Sequence, residues 1–475
     1  MATAERICYR GGMAARYIVI DHDTPMLLPP SLRDWLPPDH LVHVIMDAVE
    51  ELDLSRAQVN PRGSGDAQYP PGMLLGLLIY SYATGMFSSR AIERASHDQV
   101  AVRYLCGDTH PDHDTICEFR RRNGELFAHS FAQVIELAAR SGVLKVGAIT
   151  VAIDGTKVLA NASKHAAVSY GHAGEKMREL DLEIAELMKK AEQADATPLD
   201  DGLSIPEELQ RRAGRKAKLA AARAEMEVRA LARVEQELEE YELKRAARAA
   251  QRAAGKKPRG KEPQPPSGTP EAKDQVNFTD QESRIMKAGH GQHFEQAYNA
   301  QAAVEIESRL IVGAPVVNAP NDKEQLAPTF AAIAAEAGPV AEVLIDSGFV
   351  SEQAVKQIET DAGGQPTGVK VLAAVKRDPH GRTVAQLEKR DDPPAPPPDA
   401  PFLAHLAHRV ATQAGRRRYR QRQQTVEPVF GIIKEALGFR RFSLRGLAQV
   451  RLEWTLVTLA YNLKRLFTLR ARFST

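Results

Sequence analysis

Residues 148–158 read AITVAIDGTKV, an apolar run over Ala148–Ile153 closed by a single acid, Asp154. Residues 340–349, VAEVLIDSGF, repeat the arrangement and close on Asp346. Short apolar runs rich in Val and Ile predict buried strands. Working outward, 297–317 (AYNAQAAVEIESRLIVGAPVV) holds two β-rich runs around a turn-like EIES, which predicts a hairpin. DKEQLAPTFAAIAAEAG (322–338) and SEQAVKQIETDAG (351–363) predict helices, and VKVLAAVKRD (369–378) a further strand. Strands alternating with helices imply an α/β layer with parallel neighbours. If the two acid-bearing strands lie side by side and parallel, both carboxylates reach one end of the sheet, where ligands tend to sit.

A third acid, Glu427, lies in YRQRQQTVEPVFGIIK (419–434). Pro428 follows it, so a helix here either kinks or starts at that point. Val429, Phe430, Ile433 and Leu437 form an apolar stripe, and Lys434 falls seven residues after Glu427. On a continuous helix that is about 10 Å along the same face. Two carboxylates at strand ends and a third on a helix can hold two Mg²⁺ ions, the arrangement that clamps the attacking and leaving oxygens of a phosphoryl displacement. The trio therefore points to cutting and joining of nucleic acid.

Composition allows this chemistry without selecting it. A chain of 475 residues is long enough for two or more domains, and its 43% hydrophobic share is ordinary. No apolar run approaches the ~20 residues that span a bilayer, and MATAERICYRGG lacks the apolar core of a signal peptide. Three cysteines (Cys8, Cys106, Cys117) argue against a disulfide framework, so a cytoplasmic location is expected, at the nucleoid when the chain is on DNA. The net charge of +2 hides an asymmetry. From Arg416 to Thr475 fourteen Lys and Arg face three acids, a net +11, which leaves −9 for the rest. A basic block around Glu427 is what a phosphate-backbone surface needs, although a solvated helix face has the same composition.

The organisation read from pattern is an extension over 1–24, a helical, DNA-binding candidate domain over 25–145, an α/β domain over 146–171 and 277–475, and a helical insertion with its linker over 172–276. In the first domain Val42, Ile45, Val49 and Leu52 recur at helical spacing. Pro70 and Pro71 mark the start of a buried helix, and Ser88–Ser89 are expected to cap the next. A helix after PDHDTICEFRRRN is expected to carry Arg120, Arg121 and Arg122 at or near the surface, a basic tip suited to helix-turn-helix-like DNA contact. Cys106, His110, His113 and Cys117 match no usual zinc spacing, and their acidic neighbours read as a loop and helix cap. In the insertion Leu180, Ile184 and Leu187 share one face, while Val228, Leu231, Val234, Leu238 and Tyr241 form a coiled-coil-like stripe. The break at ATPLDDGLSIP between them predicts an antiparallel hairpin. The last helix, with Leu452, Leu456, Leu459, Leu463 and Leu466, is expected to bury that stripe and expose Arg451, Lys464 and Arg465.

With these motifs in view, the chain resembles bacterial insertion-sequence transposases of the DDE class. The resemblance rests on AIDGTKVLANASK, NFTDQESRIMK, AYNAQAAVE, NDKEQL, LIDSGF and YRQRQQTVEPVFGIIKEALGFRRFSLRG, and on the N-terminal YPPGMLLGLLIYSYATGMFSSRAIERA. It implies an RNase H-like catalytic domain interrupted by the insertion and preceded by an all-α domain. Asp154, Asp346 and Glu427 would be catalytic and hold two Mg²⁺ ions, with Mn²⁺ as a substitute. The family's Tyr-Arg-Glu-Lys signature falls on Tyr419, Arg422, Glu427 and Lys434, which would contact DNA and its phosphates, Glu427 excepted. Four residues separate Arg422 from Glu427 where the signature usually has three. The implied partners are the terminal inverted repeats of an element and target DNA, with no membrane and with a homodimer assembled on DNA. Three readings stay open at this point: an active transposase, a DNA-binding protein that keeps the fold without transposition, and a metal-dependent nuclease that only cuts.

Overall fold

The computed structural model describes residues 31–59, 68–145, 147–196, 204–255, 258, 260–288, 293–361, 363–375 and 392–470. The 1–24 extension lies outside them, as does most of the break between the two insertion helices. Six helices come first: α1 (Leu41–Glu50), α2 (Pro71–Ala83), α3 (Ser89–Asp98), α4 (Val100–Leu105), α5 (His113–Arg122) and α6 (Gly124–Arg140). Val42, Ile45, Val49 and Leu52 are buried, as their spacing predicts. α2 opens on Pro71, whose missing N–H is no loss at a first helical position. It buries every residue from Leu74 to Ala83. The chain then turns through Gly85 at φ +85°, where a Cβ would lie 2.8 Å from the Leu437 carbonyl oxygen.

Two local expectations need correction. Ser88 occupies the N-cap position of α3 but its hydroxyl makes no capping bond, whereas Asp112 does cap α5, accepting from the Thr115 N–H at 2.7 Å. Arg121 and Arg122 are exposed, but Arg120 is not. It turns inward and donates to the Tyr82 hydroxyl (3.1 Å), the Phe87 carbonyl (2.7 Å) and Ser89 Oγ (3.3 Å). A planar guanidinium with five donors can satisfy several buried acceptors at once, which the run of three arginines does not disclose.

The sheet is mixed. Along its main path the order is β4 (Arg284–Ala288), β5 (His293–Glu305), β1 (Ile149–Leu159), β8 (Val340–Ile345) and β9 (Lys370–Ala373). The short β6 (Ile311–Gly313) and β7 (Val316–Val317) also pair with β5. β1 runs antiparallel to β5 and parallel to β8, and β8 runs parallel to β9. β1 does not stop at Asp154 as the apolar run implies. Its polar continuation stays in the ladder because β5 pairs with it as far as Leu159↔Ala297. The helix expected over 322–338 is shorter: α9 spans Leu326–Ala331. The chain then leaves the helix, and the Ala334 N–H donates to the Val312 carbonyl within β6.

Between β1 and β4 the chain forms β2 (Ala167–Ser169), α7 (Tyr170–Ala196), α8 (Ile205–Ala253) and β3 (Gln275–Asn277), with β2 and β3 antiparallel. α7 and α8 also run antiparallel: Tyr170 donates to Glu227 (2.8 Å) and Arg212 to Glu183 (2.7 Å). Their packed face is Ala173 and Leu180 against Leu219, Ala222 and Met226. The stripe singled out from sequence lies mostly beyond it, and Val228, Leu231 and Leu238 are exposed. α8 is nearly twice as long as α7, so no α7 residue lies opposite its later turns.

Helices Phe402–Ala411, Gln413–Gly431 and Leu447–Thr468 complete the chain. The last buries Leu456, Leu459, Leu463 and Leu466 fully and packs on α1, α2, α6 and β7. Arg451 is exposed, but Lys464 and Arg465 are half-buried and donate to the carbonyls of Ala83 and Ser308. Tyr82, Phe87, Phe439, Phe442, Trp454 and Tyr298 form a chain of mostly edge-on ring contacts, with centroids 5.1–6.5 Å apart. Each such buried ring contributes on the order of 2 kcal/mol by burial, plus about 1 kcal/mol from ring geometry. The cluster fastens the segment after Glu427 to α2 and β5.

Candidate active site

The parallel pairing of β1 with β8 carries Ile153 opposite Ile345. The next residue on each strand is an acid, so Asp154 and Asp346 emerge side by side at the C-terminal end of the pair. Both strands are held there by buried branched side chains, Val151 and Ile153 on one and Val343 and Ile345 on the other. The helix Gln413–Gly431 crosses this pair and is stitched to it. Arg418 donates to Glu342 (2.5 Å) and Thr150 (2.7 Å), and the Tyr419 hydroxyl donates to the Ile345 carbonyl (3.0 Å). Val426, Val429 and Phe430 are buried.

Arg422 stands at the centre. Its guanidinium lies 3.0 Å from Asp154 Oδ2, 3.8 Å from Asp346 Oδ1 and 3.8 Å from Glu427 Oε1. Three acids from three separate segments thus converge on one positive group. The site grades from buried to open: the side chain of Arg422 is 8% exposed, Asp154 22%, Asp346 48% and Glu427 57%. Burial pushes the Asp154 carboxyl up to about 6, against the opposing pull of Arg422 and of the Gly155 N–H bonded to it at 2.8 Å. For Arg422 burial acts downward, but Asp154, Tyr419, Asp346 and Glu427 outweigh it and the net shift is upward. Burial raises the Tyr419 hydroxyl as well. Among the described residues no group of three His, Cys, Asp or Glu side chains is already arranged as a metal cage. The three carboxylates instead face the guanidinium of Arg422.

The helix passes through Pro428 and runs on to Gly431. It then widens into a π-turn, Ile432–Ala436, in which the Leu437 N–H reaches back to the Ile432 carbonyl. Proline removes one helical hydrogen bond and such turns absorb the misfit. The stretch from Glu427 to Lys434 is therefore continuous but not uniformly α-helical. The Lys434 ammonium donates to the Lys157 carbonyl at 2.9 Å, and burial lowers its pKa.

Sequence reading overlooked a polar group beside these acids. Asp322 Oδ1 accepts from Asn299 (2.6 Å) and Gln301 (2.9 Å) and lies 3.4 Å from the Lys157 ammonium. Asn299 and Gln301 are fully buried, and an oxygen on each has no partner. The sequence did carry a signal for Asp322, since NDKEQL was among the motifs, but its partners come from β1 and β5 and only the fold brings them together. Gly155 belongs to the same group: a Cβ there would lie 2.6 Å from Gln301 Nε2 and 2.7 Å from Asp322 Oδ1.

Two family models match the chain. A transposase domain of the DUF772 type covers residues 30–122, and a transposase DDE domain covers 401–467. Tyr419, Arg422, Glu427 and Lys434 fall inside the second match, whereas Asp154 and Asp346 lie outside both. No curated protein and no solved structure matches the chain. With a transposase domain near its start and a transposase DDE domain near its end, the chain is consistent with an insertion-sequence DDE transposase.

Proposed function

We propose that this transposase binds the terminal inverted repeats of its element and, with a divalent metal, cleaves the DNA there and joins the freed end to target DNA. The observation that carries this reading is the convergence of Asp154, Asp346 and Glu427 on one cationic group. These three residues would hold two Mg²⁺ ions, or Mn²⁺ in their place, through hard carboxylate oxygens. Ions held there supply the Lewis acidity and nucleophile activation of in-line phosphoryl transfer. The protein's own part is positional. Strands β1 and β8 set the spacing of the two aspartates, and Tyr419 fixes the end of β8 through the Ile345 carbonyl. Lys434 is the ammonium we assign to a DNA phosphate.

On this reading residues 146–171 and 277–475 are an RNase H-like catalytic domain, supported by the mixed sheet and by the helix that brings Glu427 to the aspartates. Residues 25–145 serve as a DNA-binding domain, with exposed Arg121 and Arg122 as its basic tip. Residues 172–276 are an insertion, and residues 1–24 an extension. The protein works as a homodimer on paired DNA ends in the cytoplasm, at the nucleoid when bound.

The test is incubation of a labelled duplex carrying the element's own end with Mg²⁺ and a target plasmid, comparing the native protein with Asp346→Ala. Cleavage at the end and a joined product, both absent from Asp346→Ala, are expected. Binding by both proteins with cutting by neither would make this a DNA-binding protein of transposase origin. Cutting without any joined product would make it a nuclease.

A further inference from the structure

We propose that Arg422 is an internal counter-ion: it gathers the three carboxylates of the cation-free protein and has to withdraw when a divalent ion enters. The inference rests on the metal-binding reading of Asp154, Asp346 and Glu427, and it replaces the phosphate-holding role that the resemblance implies for Arg422 in the DNA-free state.

Three features of the side chain carry it. Its two terminal nitrogens lie 3.0, 3.8 and 3.8 Å from the three acids, hydrogen-bonded to Asp154 and within ion-pair distance of Asp346 and Glu427. Its Nε is buried without a partner, so the head of the side chain is held at its far edge and not at its base. It sits in the first two turns before Glu427 on the same helix, so the arginine and the two aspartates are carried by different elements.

The energetics follow from charge. Three carboxylates in a half-buried pocket repel one another, and one guanidinium with several donors relieves that repulsion without metal. A divalent ion relieves it better, but a guanidinium and a dication cannot both lie within 4 Å of the same oxygens without strong mutual repulsion. The acids are thus poised between two occupants. Coupling between two such occupants is reciprocal: whatever removes the arginine tightens the metal, and whatever binds the metal loosens the arginine. Once displaced, a guanidinium is well shaped for the phosphate of bound DNA, which would make metal entry and DNA binding mutually favourable.

The test uses Mn²⁺ alone, titrated into the full-length, DNA-free protein and followed by calorimetry and by the electron paramagnetic resonance of free Mn²⁺. Native protein, Arg422→Gln and Arg422→Lys are compared, with Asp154→Asn marking the site. Arg422→Gln is expected to bind Mn²⁺ about tenfold more tightly, within the range usual for coupled sites. It should also melt lower than native protein without metal and gain more on adding it. If Arg422→Gln does not fold, Arg422→Lys carries the test. A point charge that cannot reach all three acids should bind Mn²⁺ more tightly than native protein, though less so than full neutralisation. Equal or weaker Mn²⁺ binding by the folded variant overturns the inference and leaves the metal reading standing. No Asp154-dependent binding in any of the proteins overturns both.

Discussion

Ile153 lies opposite Ile345 in a parallel ladder, and this single register places Asp154 beside Asp346. Two segments nearly two hundred residues apart in sequence thereby present their acids at one sheet end. A one-residue slip would turn one carboxylate to the opposite face. The spacing of the two aspartates depends on that register, and several consequences can be measured.

The first concerns pH. The Asp154 carboxyl is raised to about 6 in the folded chain, above its ordinary value near 4, chiefly by burial. Between those values the folded state binds the proton more tightly than the unfolded state does. Stability from this group is therefore present below pH 4 and lost as pH rises through 6. Without metal, unfolding free energy should decline over that window, and Asp154→Asn should flatten the decline. Urea titrations at half-unit pH steps would show it, and a slope unchanged in the variant would contradict it.

Gly155→Ala should damage the neighbourhood of the site while replacing none of Asp154, Asp346 and Glu427. Its new Cβ meets Gln301 Nε2 at 2.6 Å and Asp322 Oδ1 at 2.7 Å, and both groups are already bonded to each other. Overpacking of this kind costs about 1–3 kcal/mol. Thermal unfolding should register that loss. A variant as stable as the native protein would mean that the Asp322 group is loosely held.

Tyr82→Phe tests the tie between the first helices and the last. Buried Glu453 accepts from the Tyr82 hydroxyl (3.1 Å) and from the N–H groups of Ser443 and Leu444 (2.8 and 2.9 Å), while Arg120 donates to the same hydroxyl at 3.1 Å. Deleting one oxygen leaves a buried donor and a buried acceptor short of a partner, at a cost of about 1–3 kcal/mol. Denaturant midpoints would report it, and an unchanged midpoint would show that water or another group replaces the hydroxyl.

Lys434→Ala should weaken DNA binding in a salt-dependent way. Loss of one phosphate contact lowers the slope of log affinity against log salt by roughly 0.9. Fluorescence anisotropy across salt concentrations measures the slope directly. An identical slope would remove Lys434 from the DNA surface.

Much of this was legible from local pattern, because strands and helices advertise themselves by period. The runs ending at Asp154 and Asp346 did so, and the leucines of the last helix did so. Pattern alone misplaced what depends on partners. Arg120 reads as surface charge in RRR, but three acceptors, two of them buried, draw it inward. The Val228–Tyr241 stripe reads as a helix seam, but α7 is too short to cover it. The resemblance assigns Arg422 to DNA phosphates, although four residues and not the usual three separate it from Glu427. Its position among the acids exists only once β1, β8 and the helix are assembled.

The most direct measurement is the Mg²⁺-dependent rate of end cleavage for Asp154→Asn, Asp346→Asn and Glu427→Gln, singly and combined. If the three acids act as one unit, each single change should cost on the order of 10³-fold or more, and the triple change little beyond that. A single variant that cleaves at close to the native rate, or losses that multiply from one acid to the next, would contradict a shared site.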